Sequence, residues 1–264
     1  MKKEGVLLHH MNSEFKRNGL HILGSFIDCL DYDRCIQKII EWGFSRKSRC
    51  VSICNVHAVV TAVSDPLLRD AINNSDIATA DGMPLVWTMR RNGLKNAQRV
   101  CGPDLMIKLL SRLSSGGLPI YFYGSTEKTL QLLTMKLRRR FPDLKVAGFY
   151  SPPFRELEPL ENYAVIDRIN ASGAGIVFVG LGCPKQELWM ANQKGKINAV
   201  MVGVGAAFDF HAGTVRRAPK VLQGIGFEWL YRLMQEPKRL FSRYFLTNTI
   251  FIRQVLAGTL LDKR

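Results

Sequence analysis

The chain has 264 residues, 47% hydrophobic and 22% charged, enough for a full globular core and against wholesale disorder. Its net charge of +15 predicts an anionic partner: nucleic acid, anionic lipid or a phosphorylated substrate. The six cysteines are scattered; Cys50 and Cys54 have no second Cys or His pair at zinc-finger spacing, so structural zinc is not expected and buried, reduced thiols are the default.

Residues 1–19 read as an N-terminal tail whose apolar run is too short for a signal peptide. From Asp28 to Trp42, Ile36, Ile39 and Ile40 recur at helical spacing. Asp31-Tyr32-Asp33 in its first turn matches an Asp-x-Asp pattern that binds metal in many sugar transferases. Acids also favour helix N-termini by charge–dipole attraction, and that reading is preferred; no metal site is predicted. Arg49 to Cys54 is an apolar strand leading into Asn55 and a helix to about Ala62; Asp65-Pro66 starts another. A further apolar run ends in Asp81-Gly82, a turn signal at a strand's C-terminal edge. Ligands bind at that edge in open α/β sheets. Asp81 is there either a turn-former or a carboxylate able to act as base or hydroxyl acceptor. Met83 to Arg91 is a predicted helix with Leu85, Val86 and Met89 inward, and Asp104 is a candidate cap for a helix over Leu105 to Leu113.

The second half alternates strands and helices. Pro119 to Gly124, Gly175 to Gly180 and Ala199 to Gly203 are each a strand closed by a glycine turn. This spacing predicts an α/β fold: a Rossmann-like parallel sheet with flanking helices and a helical C-terminal appendage. Helix N-termini beside Gly124, Gly180, Gly182, Gly203 and Gly205 would line one edge and suit a diphosphate. The full Gly-x-Gly-x-x-Gly fingerprint is absent: Gly180-Leu-Gly182 continues to Lys185, and Gly203-Val-Gly205 to Phe208. An NAD or FAD site is weakly supported, and no cofactor is expected.

From about Leu20 to Phe245 the chain resembles the WecG/TagA/CpsF glycosyltransferases (family 26). The landmarks are Asn55, Ala80-Asp81-Gly82, Arg99-Val-Cys-Gly-Pro-Asp104, Phe122-Tyr-Gly124, Gly180-Leu-Gly-Cys-Pro-Lys-Gln-Glu187 and Gly203-Val-Gly-Ala-Ala-Phe-Asp209, followed by Arg217-Ala-Pro and Glu228-Trp-Leu-Tyr-Arg232. The resemblance implies an inverting, metal-independent enzyme. It would move a sugar from a UDP-sugar to a polyprenyl-diphosphate-linked acceptor in bacterial cell-surface or exopolysaccharide synthesis. Asp81 matches the family's proposed general base, a role suited to a carboxylate within reach of the acceptor hydroxyl. Arg99 falls within the matched motifs and is assigned to substrate. Lys185 is a candidate diphosphate contact, or a surface lysine. Gln186 and Glu187 either grip ribose or sugar hydroxyls or serve the helix start. Asn55 and Asp104 are either ligand contacts or caps, and Asp209 a ribose or uracil contact or a turn residue. His57 and His211 read as packing or turn residues. Ile53 stands where some relatives carry threonine, which leaves the donor sugar open.

Residues 20–214 are taken as the catalytic domain and 215–264 as the appendage. The appendage carries ten basic and three acidic side chains, so +7 of the total charge. Its apolar stripes interspersed with Arg232, Lys238, Arg239, Arg243 and Arg253 suit an anionic membrane surface, reached peripherally from the cytoplasmic face. Arg232 is a candidate to reach over the diphosphate. Packing of an ordinary basic helix on the core is the rival reading. The other function classes considered are an NAD(P)-dependent oxidoreductase and a basic nucleic-acid-binding protein. The second lacks any recognisable base-reading motif, so no nucleic-acid partner is assigned. Homo-oligomerisation is left open.

Overall fold

The computed structural model describes residues 15–115, 117–224 and 226–261. Strands β1 (Gly19–Ile22), β2 (Ser25–Asp28), β3 (Arg49–Cys54), β4 (Ile77–Ala80), β5 (Ile120–Gly124), β6 (Val146–Tyr150), β7 (Ile176–Gly180) and β8 (Val200–Gly203) form one sheet in the order β1-β2-β4-β3-β8-β7-β5-β6. All pairings are parallel except the β1–β2 hairpin. The two halves of the chain meet where β3 pairs with β8, the topological switch point of an open α/β sheet.

Alternation along the strands sorts the core. Ile176, Phe178, Ile120 and Phe122 point to one face. There they pack under α1 (Tyr32–Phe44), α5 (Gly102–Leu113), α6 (Glu127–Arg140) and α9 (Ala207–Ala212). Val177, Val179, Tyr121 and Tyr123 point to the other face, under α7 (Pro159–Ala171) and α8 (Lys185–Gln193). Burial on both faces explains why these strands read as continuous apolar runs. A third cluster joins Cys54, Ala78 and Ala80 to α2 (Val56–Ser64), α3 (Pro66–Asn73) and α4 (Met83–Arg91).

The sequence periodicity places the α1 start too early. Asp28 ends β2, its buried carboxylate accepting from Arg17 Nη2 at 2.8 Å and from the Ala78 N–H at 2.7 Å. Helix α1 opens only at Tyr32, capped by Asp31, which accepts from the Arg34 N–H. Phe15 also stacks edge-on to Trp42 at 5.7 Å, so the expected tail is engaged from that residue onward. Residues 1–14 lie outside the described residues. The β1–β2 hairpin, β6 and α7 were not read from sequence: the strands are short, and β6 is only half-buried at the sheet edge.

Asp104 is not the cap of α5. The helix begins at Gly102 with Cys101 in the cap position and no side-chain cap bond. Pro103, lacking an N–H, fits the first turn, so the helix starts earlier and Asp104 lies within that turn.

The appendage folds as α10 (Lys220–Gly224), α11 (Glu228–Gln235) and α12 (Pro237–Leu256). It is joined to the sheet domain: Phe251 and Leu260 are buried in the α2–α4 cluster, and the Leu23 N–H donates to the Leu260 carbonyl at 2.8 Å. No helix among the described residues is long and apolar enough to cross a membrane.

Candidate functional site

A cleft of about 730 Å³ opens at the C-terminal ends of β3, β4, β7 and β8. Of the predicted residues, Asn55, Asp81, Arg99, Gly180, Gly182, Gln186, Gly203, Gly205, Asp209 and Arg232 line it. Gly124, Lys185, Glu187 and Asp104 do not.

Asp81 follows β4, and its N–H donates to the Cys54 carbonyl at 2.7 Å, fixing it beside the end of β3. Its carboxylate accepts from Arg99 Nη2 at 3.1 Å. The same nitrogen donates to Glu228 Oε2 of α11 at 2.7 Å. The other Glu228 oxygen accepts from Arg217 Nε at 3.2 Å, and Arg217 also donates to both oxygens of Asp104. Five charged groups thus form a row: Asp81, Arg99, Glu228, Arg217 and Asp104. Desolvation pushes the Asp81 carboxyl up to about 7, with Arg99 opposing and Glu228 reinforcing the rise. Asp104 goes the other way. Burial raises it, but the hydrogen bonds and charge of Arg217 outweigh that and hold it down to about 2. Asp104 therefore anchors Arg217 rather than facing the cleft.

The glycine turns serve close packing as much as ligand approach. Gly124 has φ +115°, and a Cβ there would lie 2.6 Å from the Gly180 backbone. A Cβ on Gly180 would meet the Phe208 ring at 2.5 Å. Gly182, at φ +78°, has no atom within 4 Å of where a Cβ would point. Two backbone N–H groups at the cleft are bonded within the protein. The Gln186 N–H donates to the Gly182 carbonyl at 3.0 Å, and the Gly205 N–H donates to Gln186 Oε1 at 3.1 Å. Gln186 Nε2 donates in turn to Glu187 Oε1 at 2.7 Å. Glu187 is 1% exposed, and burial pushes its carboxyl up to about 7. It supports the turn from beneath. Lys185 is exposed at the start of α8.

The side-chain oxygen of Asn55 caps α2, accepting from the Ala58 N–H at 3.0 Å, so its amide is the part open to the cleft. Asp209 Oδ1 accepts from Thr214 Oγ1 at 3.3 Å. Arg232 lies 5.3 Å from the centroid of the Phe210 ring, and its buried Nε has no hydrogen-bond partner among the described residues. His211 Nε2 donates to the Pro103 carbonyl at 2.9 Å, a packing role, whereas His57 contacts Thr61 and borders the cleft. Asp31 caps α1, and Asp33 pairs with Arg112, remote from the cleft.

Two features were missed as site residues. Arg217 and Glu228 lay within recognised landmarks but were not assigned a role. The cleft also has an apolar wall, Met83 and Trp87 of α4 facing Phe251, Ile252, Val255 and Leu256 of α12. The α12 side of that wall was visible in the sequence only as an amphipathic stripe.

The family profile described as "Glycosyl transferase WecG/TagA/CpsF family" matches residues 20–264. That span covers the sheet, the cleft and the appendage, and it sets aside the oxidoreductase and nucleic-acid readings. The chain belongs to the WecG/TagA/CpsF family of glycosyltransferases, which serve cell-surface polysaccharide synthesis.

Proposed function

We propose that the enzyme transfers a sugar, with inversion, from a UDP-sugar to a polyprenyl-diphosphate-linked acceptor, with Asp81 as general base. The observation that carries the proposal is a carboxylate at the switch-point cleft whose desolvation raises it to about 7. A base of that strength is half-ionised near neutral pH, where general-base catalysis is most effective. With Oδ1 held by Arg99, the second Asp81 oxygen takes the acceptor hydroxyl proton. The new glycosidic bond forms as the bond to UDP breaks on the opposite face of the sugar.

The leaving diphosphate gathers negative charge. Arg232, with its unpartnered Nε in the cleft wall, and the N-terminus of α8 supply compensating charge. The Asn55 amide and Asp209 contact the donor. The apolar wall of α4 and α12 takes the first part of the acceptor lipid. The exposed Phe241, Phe245 and Leu246 of α12, with Lys238 nearby, rest on an anionic membrane surface at the cytoplasmic face.

The decisive measurement is UDP release from a panel of UDP-sugars with lipid-linked acceptors. Asp81→Asn is expected to lower kcat by ~10²–10⁴-fold while UDP-sugar binding persists. Near-wild-type turnover by a folded Asp81→Asn protein would overturn the assignment.

A further inference from the structure

Arg99 serves two carboxylates from one nitrogen, and the shorter bond goes to Glu228: 2.7 Å, against 3.1 Å to Asp81. Glu228 is itself well paired, since its other oxygen accepts from Arg217. Asp104 is held by two bonds from Arg217. Three carboxylates therefore share two guanidiniums. Full ionisation leaves one negative charge in excess, and Asp81, with a single contact at 3.1 Å where Glu228 and Asp104 each have two, is the member least compensated.

We propose that Glu228 is a positioning residue that sets the charge of Asp81 by sharing Arg99 with it. The proposal deepens the reading of Asp81 as the base.

The groups facing Asp81 come from four elements. Arg99, Cys101 and Asp104 lie before and within α5, Arg217 lies after α9, Glu228 is on α11, and Cys54 ends β3. Burial pushes the Cys101 thiol up to about 12 and the Cys54 thiol well above its ordinary value, so neither carries charge near neutrality. Asp104 stays ionised throughout. The remaining variable is how much of the Arg99 charge Asp81 receives. With Glu228 present, Asp81 has a divided cation on one side and a like charge behind it. Without Glu228, Arg99 belongs to Asp81 alone. An undivided Asp–Arg pair lowers the carboxyl by ~1–3 units. A carboxylate lowered that far is a weaker base. Because Glu228 is on α11, docking of the appendage delivers the carboxylate that keeps Asp81 basic.

The test uses the full-length protein. The Asp81 carboxyl is titrated by carbon-13 NMR, its signal assigned by loss in Asp81→Asn, beside pH profiles of kcat from UDP release. In Glu228→Gln the Asp81 midpoint is expected to fall by ~1 unit or more. The acid limb of kcat should move down with it, and plateau kcat should drop several-fold with little change in donor KM. Glu228→Asp keeps the charge and should hold the wild-type midpoint. An unchanged midpoint in Glu228→Gln overturns the proposal, as does an equal shift in Glu228→Asp, which would make shape rather than charge the cause. If Asp81→Asn retains turnover, the base reading fails by itself, and the NMR midpoints still decide whether Glu228 governs Asp81.

Discussion

Asp81 is held in a state that the fold disfavours. Its carboxyl titrates at about 7 in the folded protein, against ~3.9 for an unfolded chain. Between those values the folded state keeps a proton that the unfolded chain has released. Stability therefore falls as pH rises through that window and levels off above about 7. Asp81→Asn removes the penalty. The variant should be more stable than wild type at pH 8 by ~1 kcal/mol or more, with the gap closing toward pH 4, as read by urea denaturation at both pH values. A variant less stable at pH 8 would contradict the assigned burial. Asp81 was legible because an apolar run ending in Asp-Gly marks a strand edge, where such sheets bind ligands. Its partners were not. Glu228 lies 129 positions from Arg99, and Arg217 lies 113 from Asp104, so no local pattern announces either pair. Glu187 shows the opposite failure. It sits in the matched motif beside the cleft, yet its helix turns it beneath the loop, where it holds Gln186.

At the scale of elements, the glycine turns divide into two kinds that a sequence cannot separate. Gly124 is a packing glycine: both its backbone angle and the Gly180 backbone at 2.6 Å exclude a side chain. Gly182 disfavours a side chain only through its angle, since a Cβ there would point into open space. Gly124→Ala should cost ~3 kcal/mol or more, and Gly182→Ala only ~1–2 kcal/mol, measured by chemical denaturation. Equal costs would show that the close approach of β5 to β7 does not constrain the turn. Strands β5, β7 and β8 were readable because each is a buried apolar run closed by glycine. The N-terminal hairpin was missed because its four-residue strands are too short to show a period. Asp104 was read as a cap because caps and first-turn acids look alike when a proline intervenes.

At the scale of the molecule, the appendage is part of the cleft wall and part of the core, so removing residues 215–264 would expose Leu23 and the α2–α4 cluster. A point test of membrane contact is cleaner. Phe241 and Phe245 stack at 5.9 Å and are 60% and 67% exposed. Replacing both with Asp should lower the fraction sedimenting with anionic liposomes by ~10-fold, from the lost burial of two aromatic rings. Stability should change by under ~0.5 kcal/mol, as for other exposed positions. Undiminished sedimentation would move the contact elsewhere. The charge excess of residues 215–264 was plain in the sequence; the wall they build against α4 was not, because it depends on where α12 docks.

The bond from Leu23 to Leu260 also bears on synthesis. The β1–β2 hairpin emerges from the ribosome early, but its partner at Leu260 follows the whole sheet and both of the last helices. At ~5–20 residues per second, the stretch from Arg217 to Leu260 takes a few seconds to appear. In the first part of that interval Arg99 lacks Glu228, and through most of it the cleft lacks a completed α12. A nascent chain can thus complete its sheet while its cleft still lacks the wall that α12 supplies.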